Sequence, residues 1–225
     1  MKPRASLFAL SFSAGLLALS MTGCSSFPRQ SSTGPDAAKP VGGKAIELLQ
    51  LRDHVKSTRL ALNRTTDALN RVIAAPDTQE AYAAFSTELT TFKKLSAQTL
   101  KESGDVRVRG RELFSEWDQE AKSIKNPDIR AVAEQRRVTL QSTYDAMITP
   151  LLAARADLTE VSSDLTDIQK ALALDLTPAG IGAVKKPVAQ INLKATASAK
   201  SLDALALELD KIALALPAPT VAPVK

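Results

Sequence analysis

The segment MITPLLAARADLTEVSSDLTDIQKAL, residues 147–172, decides the fold. Met147, Leu151, Ala154, Leu158, Val161, Leu165, Ile168 and Leu172 follow one another at alternating steps of four and three, with no polar interruption. A half-buried strand alternates every second residue, whereas this spacing lines every member of the set along one stripe of a helix. A stripe of that length needs partners, and a period of 3.5 predicts that they are helices on coiled-coil spacing. Pro150 lies inside the pattern, but the stripe resumes in phase beyond it, so a kink is expected there and not an end.

Working upstream, the set is continued through Ile129, Ala133, Arg136, Leu140 and Tyr144 at steps of three and four, with two steps of four in succession from Arg136 to Tyr144. It starts at Asn126-Pro127, where Asn caps and Pro suits the first helical position. A second long helix precedes it. Asp77 and Glu80 form a capping-box arrangement, with Asp in place of Ser or Thr. From Tyr82 the stripe reads Phe85, Leu89, Phe92, Ser96, Thr99, Ser103, Val106, Gly110, Leu113, Trp117, Glu120 and Ile124. Its ends are apolar and its middle is small or polar. Gly104 costs about 1 kcal/mol in a helix relative to Ala, yet the phase holds across it, so one helix of ~48 residues is expected. The small polar middle, Ser96, Thr99 and Ser103, predicts either a wet core or a place where another helix enters.

A shorter helix is expected on each side. The first covers about 45–74, with Leu48, Val55, Leu62 and Leu69 seven apart and Leu51, Thr58, Thr65 and Val72 between them; Pro76 stops it. The last follows a turn at residues 177–182 and carries Val188, Ile191, Ala195, Ser198, Leu202, Leu205, Leu209, Ile212 and Leu216. The fold class is therefore all-α: an elongated antiparallel helical bundle, or coiled coil, of two long central helices with two shorter flanking ones. Short connections make neighbours antiparallel. The flanking helices can then cover only one half of the long hairpin, and roughly Arg107 to Gln141 should project as a two-helix arm.

Composition agrees. Apolar residues are 44% and aromatics only 4%, a balance that favours helices over a sandwich or barrel. Formal net charge is +5, and Lys2 and Arg4 account for two of those charges. The remainder is too mild to indicate a nucleic-acid partner. One cysteine and one histidine rule out an intramolecular disulfide and nearly exclude a zinc site on the usual ligands. The sequence carries no GxSxG, P-loop, HExxH or dinucleotide-type glycine pattern. No catalysis, cofactor, metal or small-molecule substrate is expected.

Residues 1–23 read as a signal peptide, with Lys2 and Arg4 ahead of an uncharged run from Ser6 to Met21. Leu19-Ser20-Met21-Thr22-Gly23-Cys24 resembles the bacterial lipobox, with Met21 where Leu is commoner. That resemblance implies cleavage after Gly23 and lipidation of Cys24. Ser25 in the next position implies delivery to the periplasmic face of the outer membrane. Residues 25–43 are rich in Ser, Pro and Gly without apolar period, and predict a flexible tether that holds the body roughly 25 Å from the bilayer. The expected organisation is a signal peptide at 1–23, a lipidated tether at 24–43, a helical domain at 44–216 and a loose tail at 217–225.

Leu113-Phe114-Ser115-Glu116-Trp117, Asn126-Pro127, Arg136-Arg137, Tyr144, Pro150 and Leu151-Leu152 together resemble a bacterial envelope family, domain of unknown function number 2959. The resemblance covers about Leu113 to Ile181 and implies long helices in a lipoprotein or secreted protein, without implying any activity. Gly110 and Lys185-Lys186-Pro187 stand where helix-friendly residues would be expected.

Candidate sites follow from the arm. Phe114 and Trp117, with Arg136 and Arg137 opposite, could form an exposed anchor for a protein partner, since aromatics and Arg lead interface hot spots. The phase of the stripe favours the other reading, in which Trp117 packs against Val132, Ala133 and Leu140 with a guanidinium over the ring. Lys93, Lys94, Lys101, Arg107, Arg109 and Arg111 could form a basic face for anionic lipid or cell-wall polymer, although a solvated helix face is the commoner use of such residues. His54 borders the stripe of the first helix and reads as a boundary residue. The expected partners are a membrane, through the lipid, and a protein partner or a second copy.

Overall fold

The computed structural model describes residues 42–74 and 78–216. Four helices occupy them: α1 (Gly42–Ala74), α2 (Thr78–Ser123), α3 (Pro127–Leu174) and α4 (Pro178–Ala215). At 1.5 Å per residue α2 and α3 are each about 70 Å long, α1 about 50 Å and α4 about 57 Å. α1 packs on α2 and α4, and α3 on α2 and α4, while the backbones of neither diagonal pair approach as closely. This is a four-helix up-down-up-down bundle.

The stripes read from sequence form its core. Leu48, Leu51, Val55, Leu62, Leu69 and Val72 of α1 are buried, as are Leu140 through Leu172 of the α3 stripe. They meet Phe85, Leu89 and Phe92 of α2 and Leu202, Leu205 and Leu209 of α4 in one cluster. The polar middle is enclosed in this cluster. Ser96, Thr99 and Ser103 are 1–2% exposed, so no outside helix enters there. Thr99 and Thr58 share a hydrogen bond of 2.9 Å. Ser103 donates to the Leu100 carbonyl at 2.9 Å. Arg155 reaches in from α3 to that same carbonyl and, at 2.5 Å, to the Ser103 hydroxyl.

Several boundaries differ from expectation. α1 begins at Gly42, inside the segment read as tether. α2 is continuous through Gly104 and Gly110, but its stripe slips at Gly110. Beyond it the buried residues are Phe114 and Ala121, one place later than Leu113 and Glu120. Two successive steps of four (106, 110, 114) replace the alternation, a stutter that locally relaxes the supercoil. α4 starts at Pro178, not after Gly182: Thr177 caps it, and Ile181 is already buried. The turn is only residues 175–177. A Cβ at Gly180 would collide with Asp175, whose carboxylate accepts from the Thr177 amide at 2.9 Å.

The hairpin tip forms as its residues dictate. The Asn126 side chain accepts from the amides of Asp128 and Ile129 at 2.9 and 3.2 Å. Arg130 turns back to donate twice to the Ile124 carbonyl, at 2.9 and 2.6 Å, covering the end of α2. An arm does project, shorter than expected at both roots. On one side α1 holds α2 as far as the ion pair of Glu47 with Arg109, 2.8 Å. On the other, Arg136 donates to the Ala215 carbonyl at the end of α4, 2.8 Å. Only about 13 residues of α2 and 10 of α3 extend beyond, roughly 15–20 Å. The signal peptide, Cys24, the Asp77 cap and the tail 217–225 lie outside the described residues.

Candidate functional site

The root of the arm gathers most of the side chains singled out by the sequence. It is built on Gly110. The Tyr144 ring lies directly on the α2 backbone, in the space that a Cβ at position 110 would fill. That close approach lets its hydroxyl share its one proton between the carbonyls of Val106 and Arg107, at 3.2 and 3.1 Å. Phe114, one turn further on, meets the same ring edge to face, with centroids 5.4 Å apart at 63°. Burial raises the Tyr144 phenol above its ordinary range, so it stays a neutral donor.

Phe114 is 9% exposed. It is a packing residue of the root and not an exposed anchor. Trp117 is half-buried and packs on the edge of the same core, as the phase of the stripe implied. Arg136 is spent on α4, as described above. Arg137 donates to Gln141 at 2.7 Å and lies 3.9 Å from Asp118 through its buried Nε, which makes no hydrogen bond. Asp118 is held below the ordinary carboxylate range, first by its hydrogen bond from Lys122. Phe114, Trp117 and Arg137 are therefore at least partly buried at the root, while Arg136 is exposed and joined to the end of α4.

The outer surface of the arm carries residues which the sequence reading placed inside. Ile129 is 58% exposed and Val132 71%. They are neighbours at i, i+3 on α3. Ile129 had been assigned to the stripe and Val132 to the contact with Trp117. The signal that would have placed them is in α3 itself: strict alternation upstream of Met147 runs through Tyr144, Leu140, Arg137, Ala133 and Arg130, and these are the residues on the inner side.

A small apolar cleft of about 40 Å³ opens at the root among Leu48, Val106, Gly110, Phe114, Tyr144 and Ile212. It has room for about one or two waters; two open, more polar clefts adjoin it, one of about 270 Å³ at Arg111, Phe114, Arg137 and Tyr144 and one of about 230 Å³ at Glu47, Lys101, Asp105 and Arg109.

The six basic residues of α2 do not share a face. By helical geometry Lys93, Lys94, Lys101, Arg107, Arg109 and Arg111 spread over about 200° of arc. Lys101 is paired with Asp105 at 3.1 Å and Arg109 with Glu47 at 2.8 Å. All six are exposed, and the basic surface they make is broad and partly neutralised by those two pairs.

His54 lies at the α1–α2 boundary, a third exposed. Its Nδ1 is 2.5 Å from Glu102, and Gln98 contacts both its Nε2 and Glu102 at 3.1 Å. The Gln98 amide donates to Nε2, which leaves Nδ1 as the protonated nitrogen facing the carboxylate. Both ring nitrogens are thereby occupied, and the cluster is an interhelical clasp.

Four helices closed on a core of their own, with one hairpin running past the closure, define the class: a helical bundle bearing an arm. The chain belongs to DUF2959, a family of proteins of unknown function, whose pattern it matches over residues 48–212. The match takes in nearly all of the bundle and the whole arm. Comparison with curated proteins and with solved structures gave no match.

Proposed function

We propose that the chain is an envelope lipoprotein, tethered to a membrane by lipid on Cys24 after cleavage at Gly23, and that it works as a non-catalytic interaction module whose arm meets a protein partner. One observation carries the reading. The bundle fills its own core up to the root of the arm, while beyond it the hairpin presents Ile129 and Val132 to solvent at 58% and 71% exposure. Exposed apolar residues on a projecting tip fit protein recognition. None of the described helices is long and apolar enough to cross a membrane, so in this reading the lipid is the anchor. Several acyl chains at ~0.8 kcal/mol per buried CH₂ are sufficient for that. The scattered, partly paired basic residues give less support to a role on anionic lipid or wall polymer.

The test is capture from cross-linked cells. Wild type should enrich one envelope protein, and Ile129→Glu/Val132→Glu should lose it while its circular dichroism stays unchanged. Cys24→Ala should leave the membrane fraction. Equal capture by the arm variant would reject the arm as the contact. Retention of Cys24→Ala in the membrane would reject the lipid anchor.

A further inference from the structure

α4 carries two stripes. One faces the core through Val188, Ile191, Ala195, Ser198, Leu202, Leu205, Leu209 and Ile212. The other repeats the same alternation of three and four, displaced by two residues: Ala183, Lys186, Gln190, Leu193, Ala197, Lys200, Ala204, Leu207, Lys211 and Leu214. A displacement of two residues is about 200° around a helix, so the second stripe faces away from the bundle. Every member of it is exposed, with Leu193 at 66%, Leu207 at 56% and Leu214 at 87%. Six of its ten members are Leu or Ala, spread over about 45 Å, an apolar content that a solvated helix face does not need.

We propose that this stripe is a self-association seam, and that its occupant is the same stripe of a second copy, running antiparallel. This deepens the interaction-module reading by naming one partner, and it does not depend on the arm.

The stripe selects its own orientation and register. Parallel copies in register would set Lys186, Lys200 and Lys211 each against itself. Two antiparallel registers pair all three exposed leucines with residues of the stripe, and one of them opposes Lys186 to Lys211. The other opposes no two lysines. It sets Leu207 against Ala197 and Lys200 against Ala204, each twice by symmetry, with Leu193 against Lys211 and Leu214 against Gln190. At the middle of the seam Leu207 and Lys200 then each face an alanine, which lets the helices approach closely there. The flanks are complementary in charge. In this register Lys200 of each copy lies within one residue of the level of Asp203 of the other, and Lys194 within two residues of that of Glu208, which is itself paired with Lys211. Asp203 is 57% exposed even while paired with Arg59, and Lys194 is 43% exposed. The two-fold axis passes near Leu202, at the middle of the seam, as a closed isologous dimer requires.

The experiment is sedimentation velocity on the full chain in detergent, with circular dichroism as the folding control. Wild type is expected to be a dimer. Leu193→Lys/Leu207→Lys is expected to raise the dissociation constant at least about a hundredfold, from the burial lost and the like charge set against Lys211 at the seam, with helicity unchanged because both residues are exposed in the single bundle. Lys200→Asp and Asp203→Lys should each weaken the dimer, and the two together should restore it. A wild-type monomer at about 100 µM, or a dimer that survives the leucine substitutions, would overturn the proposal. So would failure of the charge exchange to rescue. Ile129→Glu/Val132→Glu should leave the dimer intact, so the seam and the arm can fail separately.

Discussion

Gly110 lacks a side chain because Tyr144 occupies the place where one would go. The consequence can be tested against a neighbour. A Cβ at Gly110 meets the phenol ring inside van der Waals contact, whereas one at Gly104 meets only the end of Arg155, at 3.7 Å. Gly110→Ala should therefore destabilise the bundle by about 1–3 kcal/mol through overpacking. Gly104→Ala should stabilise it by roughly 0.5–1 kcal/mol, the helix-propensity gain. Thermal unfolding of the two variants measures both signs. Both glycines look alike in sequence, since each interrupts the same helix. Only the ring lying over one of them makes that one indispensable.

At the scale of the element, the polar middle of the α1–α2 seam is held by the buried pair Thr58 and Thr99, at 0% and 2% exposure. Thr58→Val alone strands the Thr99 hydroxyl and should cost about 1–2 kcal/mol. Thr58→Val/Thr99→Val removes both polar groups at nearly constant volume and should return to within about 0.5 kcal/mol of wild type, or exceed it. Urea unfolding of the single and double variants would show whether the hydrogen bond or the volume matters. Helix ends were legible where a cap and a proline stand together. Asn126-Pro127 was read correctly and Thr177-Pro178 was not, although the two carry the same signal. Gly180 and Gly182 obscured the second. Gly180 is there because Asp175 folds back against it, a contact made by the turn and not by the helix.

At the scale of the molecule, ion pairs tie α4 to its two neighbours. Arg52 contacts Asp210 at 2.7 Å and Lys194 contacts both Glu160 and Asp164 at 2.7 Å. The Arg52 hydrogen bond, with Lys56 nearby, holds the Asp210 carboxyl below its ordinary value of 3.8. A lowered folded pKa stabilises fully above the unfolded value and is lost as pH falls through the folded one. Asp118 and Asp175 act in the same direction. Lys194 is raised from 10.5 to about 12, first by its hydrogen bond to Asp164. Its contribution is full below 10.5 and is lost as pH rises through about 12. Stability should thus hold across the neutral range, fall below about pH 4 and fall again in strong alkali. Asp210→Asn should remove part of the acid limb and cost less than about 1 kcal/mol near neutrality, since the pair is partly solvated. Urea midpoints across pH for wild type and variant provide the check.

The alternation of threes and fours was enough to determine four helices, their antiparallel order and nearly every core residue, because burial of an apolar stripe depends on spacing along one helix. The arm's existence followed from helix lengths alone. The tertiary structure decided where the flanking helices stop, where the α2 stripe changes phase and which glycine is indispensable. Each of those depends on contacts between helices: Arg136 closing α4, Glu47 closing α1, and Tyr144 seated on Gly110 where the α2 stripe shifts by one residue. A period read along one chain segment cannot register a neighbour that changes its phase.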